Sequence, residues 1–172
     1  ENKWTKYIEP YWEVLIAESH RLERFRSLFG DERRSYSEAL ESHYCNGPPE
    51  NWQENFVSSY AIAYPWEDWA ESWAHYLHMM DTLETAYAFG LTIYPKLTGI
   101  QDIVSTQFSE DVYGYIDFSM LLNQWTSLSL ALNSLNRSMG LKDTYPFVIS
   151  PSDSKKLAFI YELINRNMKQ EK

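Results

Sequence analysis

The sequence predicts an all-α fold, and three observations carry that prediction. Apolar residues recur at helical spacing through most of the chain, proline and glycine fall at the ends of those stretches, and the segment PWEDWAESWAHYLH is strongly amphipathic at about 100° per residue. At 172 residues, with 44% hydrophobic and 16% aromatic content, there is enough apolar material for a core. Residues 1–172 are therefore expected to form a single helical domain, or one with a small appendage.

The elements follow in order. Pro10 stands at a first-turn position ahead of YWEVLIAESHRLERFRSLF, where Trp12, Leu15, Ile16, Leu22, Phe25 and Phe29 share helical spacing and Gly30 marks the stop. Ser35 or Ser37 caps a shorter helix through Tyr44, which NGPP (Asn46 to Pro49) breaks. Trp52, Phe56, Val57 and Tyr60 place a third helix over Asn51 to Ala63. Pro65 opens the fourth, which runs to about Phe89 before Gly90. Leu91 to Gly114 reads as a long loop with at most a short helical turn and is the natural candidate for a mobile flap. Asp117 or Ser119 begins a long helix closed by Gly140, and Ser150 with Pro151 begins a last one ending near Asn167. About six helices result.

The fourth helix carries the chemistry. Glu67, Glu71, His75 and His78 lie at i, i+4, i+8 and i+11, within an arc of about 80°, while Trp66, Trp69, Trp73, Tyr76, Leu77 and Met80 gather opposite. That polar edge is either a solvated face or the lining of a site. No Lys or Arg lies between Pro65 and Tyr94 to pair with the five acids there, and acids beside imidazoles are what a divalent cation neutralises. A second group, Asn133, Asn136 and Arg137, sits in an otherwise apolar helix, either as an internal polar network or as a clamp on a bound ligand. Cys45 follows His43 by two residues, a spacing that does not aim one side chain at the other on a helix, so nucleophilic catalysis has no support there.

Composition excludes some classes. A net charge of −9, from 15 basic and 24 acidic residues, repels phosphate backbones and anionic membranes, so neither nucleic acid nor membrane is an expected partner. No run of 18 apolar residues suggests a membrane span. One cysteine permits no internal disulfide, and a lone thiol fits a reducing compartment, so a cytoplasmic location is expected. The start at Glu1 instead of Met suggests a fragment or a processed product.

The blocks PWEDWAESWAHYLH and ALNSLNRSMG, within a match over roughly Tyr11 to Ile164, resemble the catalytic half of the bacterial putative zinc-binding metallopeptidase family. The resemblance implies a zincin-like helical fold, usually preceded by a zinc ribbon. It also implies a His-Glu-x-x-His motif directly before an aromatic-Trp pair, in which two His one turn apart bind zinc and the Glu activates water. With Tyr11-Trp12 as that pair, the motif positions hold Thr5, Lys6, Tyr7, Ile8 and Glu9. None is histidine, and Lys6 at the base position is a cation at neutral pH. Tyr64 stands where the family carries a further His. By analogy with zincins, Glu67 would be the third ligand and Glu71 the residue orienting a ligand His, or the reverse.

Three functions remain open. The domain has lost zinc-dependent hydrolysis and binds a peptide or protein as a pseudo-enzyme, with more reason to expect no metal than zinc. Alternatively it is an active zinc peptidase with a metal site rebuilt from Glu67, Glu71, His75 and His78, or it is a structural module of a larger assembly.

Overall fold

The computed structural model describes residues 18–96, 104–113, 117–146 and 148–170, with side chains only as far as 165 in the last stretch. The fold is helical, as the sequence predicts. Five α-helices are described: α1 (Ser19–Phe29), α2 (Tyr36–Asn46), α3 (Pro65–Ala88), α4 (Phe118–Ser138) and α5 (Pro151–Gln170). The first turns of the helix expected from Pro10, and the motif positions Thr5 to Glu9, lie outside the described residues. No helix among the described residues is long and apolar enough to cross a membrane.

The boundaries follow local chemistry. Ser35 caps α2 by accepting from the Glu38 amide, and Asp117 caps α4 by accepting from the Ser119 amide and hydroxyl. Tyr64 is extended (φ −160°, ψ 149°), the conformation favoured before a proline, and Pro65 then begins α3 where its missing N–H costs nothing. Gly90 ends that helix at φ 59°, a left-handed conformation open to glycine. Ser150 and Asp153 form a reciprocal capping box on α5: each backbone N–H is bonded to the other's side chain, both at 3.1 Å.

Two expectations are corrected. The helix expected over Asn51 to Ala63 is instead two 3-10 turns, Trp52–Glu54 and Ala61–Ala63. The Ser58 hydroxyl accepts from the Ala61 amide between them, so a side chain takes a donor that a continuous helix would have used. The loop after α3 also holds a two-residue antiparallel ribbon, β1 (Thr92–Ile93) and β2 (Thr106–Gln107), in the register Thr92 to Gln107 and Ile93 to Thr106.

The described chain packs as two compact units, one formed by residues 1–76 with 147–172 and the other by 77–146. The core of the first centres on Trp69, which is fully buried and meets Phe25, Phe29, Trp73 and Phe159 at ring centroid distances of 5.5, 5.1, 5.6 and 6.0 Å. Three of these contacts are edge-to-face or nearly so, the arrangement the ring quadrupole favours. In the second unit, Leu121, Trp125 and Leu128 form the buried stripe of α4, and Trp125 sits edge-on to Tyr145.

Candidate functional site

The first three turns of α3 are buried on nearly every side, so their polar residues must find partners in the protein. Glu67 is 7% exposed and accepts a 3.0 Å hydrogen bond from the Tyr36 hydroxyl of α2 through Oε1. Its Oε2 is buried and has no hydrogen-bond partner. Burial and the bond to Glu67 raise the Tyr36 phenol above its ordinary pKa. The Tyr60 phenol is also raised, by burial first and then by the charge of Glu67, with Glu71 adding to it and a hydrogen bond with Tyr36 pulling the other way. Two tyrosines and two glutamates therefore form one electrostatic cluster on this side of α3.

Tyr64 anchors the same wall. Its hydroxyl donates to the backbone carbonyls of Glu32 and, at 3.0 Å, Arg34, and its ring stands edge-on to Tyr36 at 5.0 Å. This fixes Tyr36 next to Glu67.

The four residues singled out on α3 do not share one environment. Glu67 and His75 are buried, Glu71 is half-buried, and His78 is exposed. Among the described residues, no three His, Cys, Asp or Glu side chains come close enough together to hold a metal ion. The edge of α3 is thus not a solvated face at Glu67 and His75.

A second buried cluster was not expected. Asp68, adjacent to Glu67 but on the opposite side of the helix edge, is fully buried. Its Oδ2 lies 2.7 Å from the ammonium of Lys156 on α5, itself 1% exposed. The aligned N–H of that ammonium goes elsewhere, to the Asn55 carbonyl at 2.6 Å, and the charge also sits 4.4 Å from the Phe56 ring centroid and 5.8 Å from that of Phe29. Neither Asp68 oxygen receives an aligned donor, and Asp153 Oδ1 is equally without one. Burial pushes the Asp68 carboxyl up to about 7 despite Lys156, with Asp153 and Glu71 adding to the shift. Asp68 of α3 thus has a cation, delivered from the last helix. A sequence signal existed: Asp153 and Lys156 share the stripe of Leu157 and Ile160, the apolar face of α5.

Asn133, Asn136 and Arg137 all serve the connector after α4. Asn133 holds Tyr145 from both sides of its amide, donating to the carbonyl at 2.7 Å and accepting from the N–H at 3.1 Å. Asn136 donates to the Lys142 carbonyl and to Thr144 Oγ1, and Arg137 makes a two-point contact with Asp143 at 2.6 and 2.5 Å. These contacts supply the internal partners that polar groups in an apolar helix require.

The model of the putative zinc-binding metallo-peptidase family matches residues 7–163. The chain belongs to that family. It is also similar to uncharacterized proteins of Mycobacterium tuberculosis and Mycobacterium bovis, 41% identical over 155 residues, which cover 90% of this chain and 42% of each relative. The chain thus spans less than half the length of the curated relatives it matches. No solved structure matches it. As a member of this metallopeptidase family the chain should hold zinc, but its described residues do not fit that ion. The glutamate at the implied ligand position is bonded to a tyrosine, and among the described residues no second and third ligand converge on it.

Proposed function

We propose that this domain keeps the metallopeptidase fold but not zinc-dependent hydrolysis, and that it binds a peptide or protein segment as a pseudo-enzyme. The observation that carries this reading is the state of Glu67: it is buried, hydrogen-bonded to Tyr36, and among the described residues no two further ligands join it to complete a metal set. Catalytic zinc needs three protein ligands and an open position. The motif positions that would supply two of them hold Thr5, Lys6, Tyr7, Ile8 and Glu9, and a lysine in place of the glutamate base would repel the ion it should serve. The exposed, free thiol of Cys45 suits a reducing bacterial cytoplasm as the site of action.

The test is elemental analysis of the purified chain after dialysis against trace zinc, together with a protease assay on labelled casein. The expected result is no zinc above background and no chelator-sensitive cleavage. One zinc per chain with cleavage abolished by chelation would establish the rebuilt site instead.

A further inference from the structure

The two-stranded ribbon of the second unit lies along α4 with a groove on each side. The groove beside β1 is apolar, about 580 Å³, with Ile93, Val104, Leu128 and Leu135 in its walls. The groove beside β2 is of similar size, about 600 Å³, but of opposite character. Ser105, Thr106 and Gln107 form one wall, and Asn123, Gln124 and Ser127 of α4 the other. No charged side chain lines it among the described residues.

Two features of this polar groove point to a ligand. The first is on the helix wall. Gln124 is 8% exposed and Ser127 4%, yet among the described residues neither side chain makes a hydrogen bond. Both residues are almost wholly buried, yet their polar atoms stay open to solvent, and both line the groove, where those atoms are available to a guest. The second is on the strand wall. Phe108 donates from its backbone to Leu91, which makes that pair hydrogen-bonded; by the alternation of antiparallel ladders the Thr92 to Gln107 pair is not. The N–H and C=O of Gln107 therefore point away from β1. Since the residues of β1 line the other groove, this outward edge faces the polar one.

We propose that this groove is a slot for an extended, uncharged stretch of polypeptide, which adds to the edge of β2 and hydrogen-bonds the Gln124 amide and Ser127 hydroxyl on its other side. The two walls match such a guest. Ser105 with the two residues of β2 spans roughly 10 Å if extended, and the helix from Asn123 to Ser127 adds a facing row of donors and acceptors about 6 Å long. An edge strand with free backbone groups is a template for another chain, with affinity coming from the main chain. The lining has no charge to select a basic or acidic ligand, and planar amides with hydroxyls suit peptide groups. The slot rests on the peptide-binding reading above and gives it a location in the second unit.

The experiment uses the whole chain and a fluorescein-labelled hexapeptide of alternating threonine and alanine. Saturable binding by anisotropy is expected, with amide shifts in a nitrogen-proton spectrum at Ser105 and Gln107. Gln107→Pro removes the outward N–H and leaves the ladder to β1 intact, because that N–H takes no part in it. This variant and Gln124→Ala should each weaken binding about tenfold, the loss of one hydrogen bond to a desolvated partner, and the second tests the slot even if the first folds poorly. The same peptide N-methylated at alternate residues should not bind. Binding with shifts at Tyr36 and Tyr60 and none at Ser105 or Gln107 would overturn the slot and leave the peptide-binding reading standing. Shifts at the slot with cellotriose but not with the peptide would overturn it in favour of a sugar. No binding at millimolar peptide would overturn it as well.

Discussion

Lys156 places its ammonium 2.7 Å from Asp68 and donates its aligned hydrogen bond to the Asn55 carbonyl, so that one buried cation ties α5, α3 and the turn after α2 together. The ion pair is attractive, but the Asp68 carboxylate lacks the aligned hydrogen bonds that would compensate its desolvation. Its value is therefore positional: it fixes which face of α5 meets α3.

Removing one partner should be costly and removing both should not. Lys156→Met leaves Asp68 buried and unpaired and is expected to lower stability by about 3–5 kcal/mol at pH 8, whereas the double variant Asp68→Leu with Lys156→Met should recover most of that loss. Urea denaturation followed by circular dichroism measures both. A double variant as unstable as the single one would show that Asp68 is not what Lys156 serves.

The same pair predicts a pH dependence. The folded-state pKa of Asp68, about 7, stands above its ordinary value of 3.8. The folded protein thus holds this proton more tightly than the unfolded chain, and the stability linked to it is complete below the ordinary value and lost as pH rises through about 7. Melting temperature should fall between pH 5 and pH 8, and Asp68→Asn should flatten that fall. Thermal melts across this range decide it, and an unchanged slope in the variant would place the proton elsewhere, Asp153 and Glu71 being the neighbouring groups.

How much of this was legible depended on whether the signal was local. Pro65 and Gly90 bracket α3, Asp117 and Gly140 bracket α4, and the Ser150 to Asp153 box opens α5, all as short-range chemistry that can be read along the chain. The segment from Trp52 to Ala63 misled because four apolar residues at helical spacing are equally compatible with two separate 3-10 turns. Strands of two residues, as in the ribbon, are too short to show any period. At the candidate site, Glu67 could be found from its helix face, but Tyr36 and Lys156 could not, because their partnership with α3 exists only once distant helices pack. The cation that meets Asp68 comes from α5, far along the chain from α3.

Glu67 should respond differently to loss of its donor and to loss of its charge. Tyr36→Phe removes the hydroxyl that Glu67 Oε1 accepts from and should cost about 1–2 kcal/mol. Glu67→Gln keeps an acceptor for Tyr36 and removes a buried charge whose other oxygen has no partner, so it should raise stability. Chemical denaturation of the two variants against the parent gives both signs. A destabilised Glu67→Gln would mean that the carboxylate has a cationic partner, which would count against the lost-site reading.

Asn133 provides the sharpest contrast between a structural and a ligand-binding role for the α4 polar row. Its amide meets the backbone of Tyr145 as donor and acceptor at once, at 2.7 and 3.1 Å, and Tyr145 in turn lies edge-on to the buried Trp125 at 4.8 Å. Asn133→Ala frees a backbone N–H and C=O together, at about 1–3 kcal/mol for the pair, and loosens the tyrosine from the tryptophan. Asn133→Asp keeps the acceptor for the Tyr145 N–H but turns a carboxylate oxygen toward the carbonyl, and should be at least as damaging. Arg137→Ala, by contrast, breaks an ion pair in which the arginine side chain is 64% exposed and should change stability little. Tryptophan fluorescence during denaturation follows all three. The order Asn133 variants well below Arg137→Ala is what a row built to hold the connector requires, and a row built for a ligand would leave stability unchanged in every one of them.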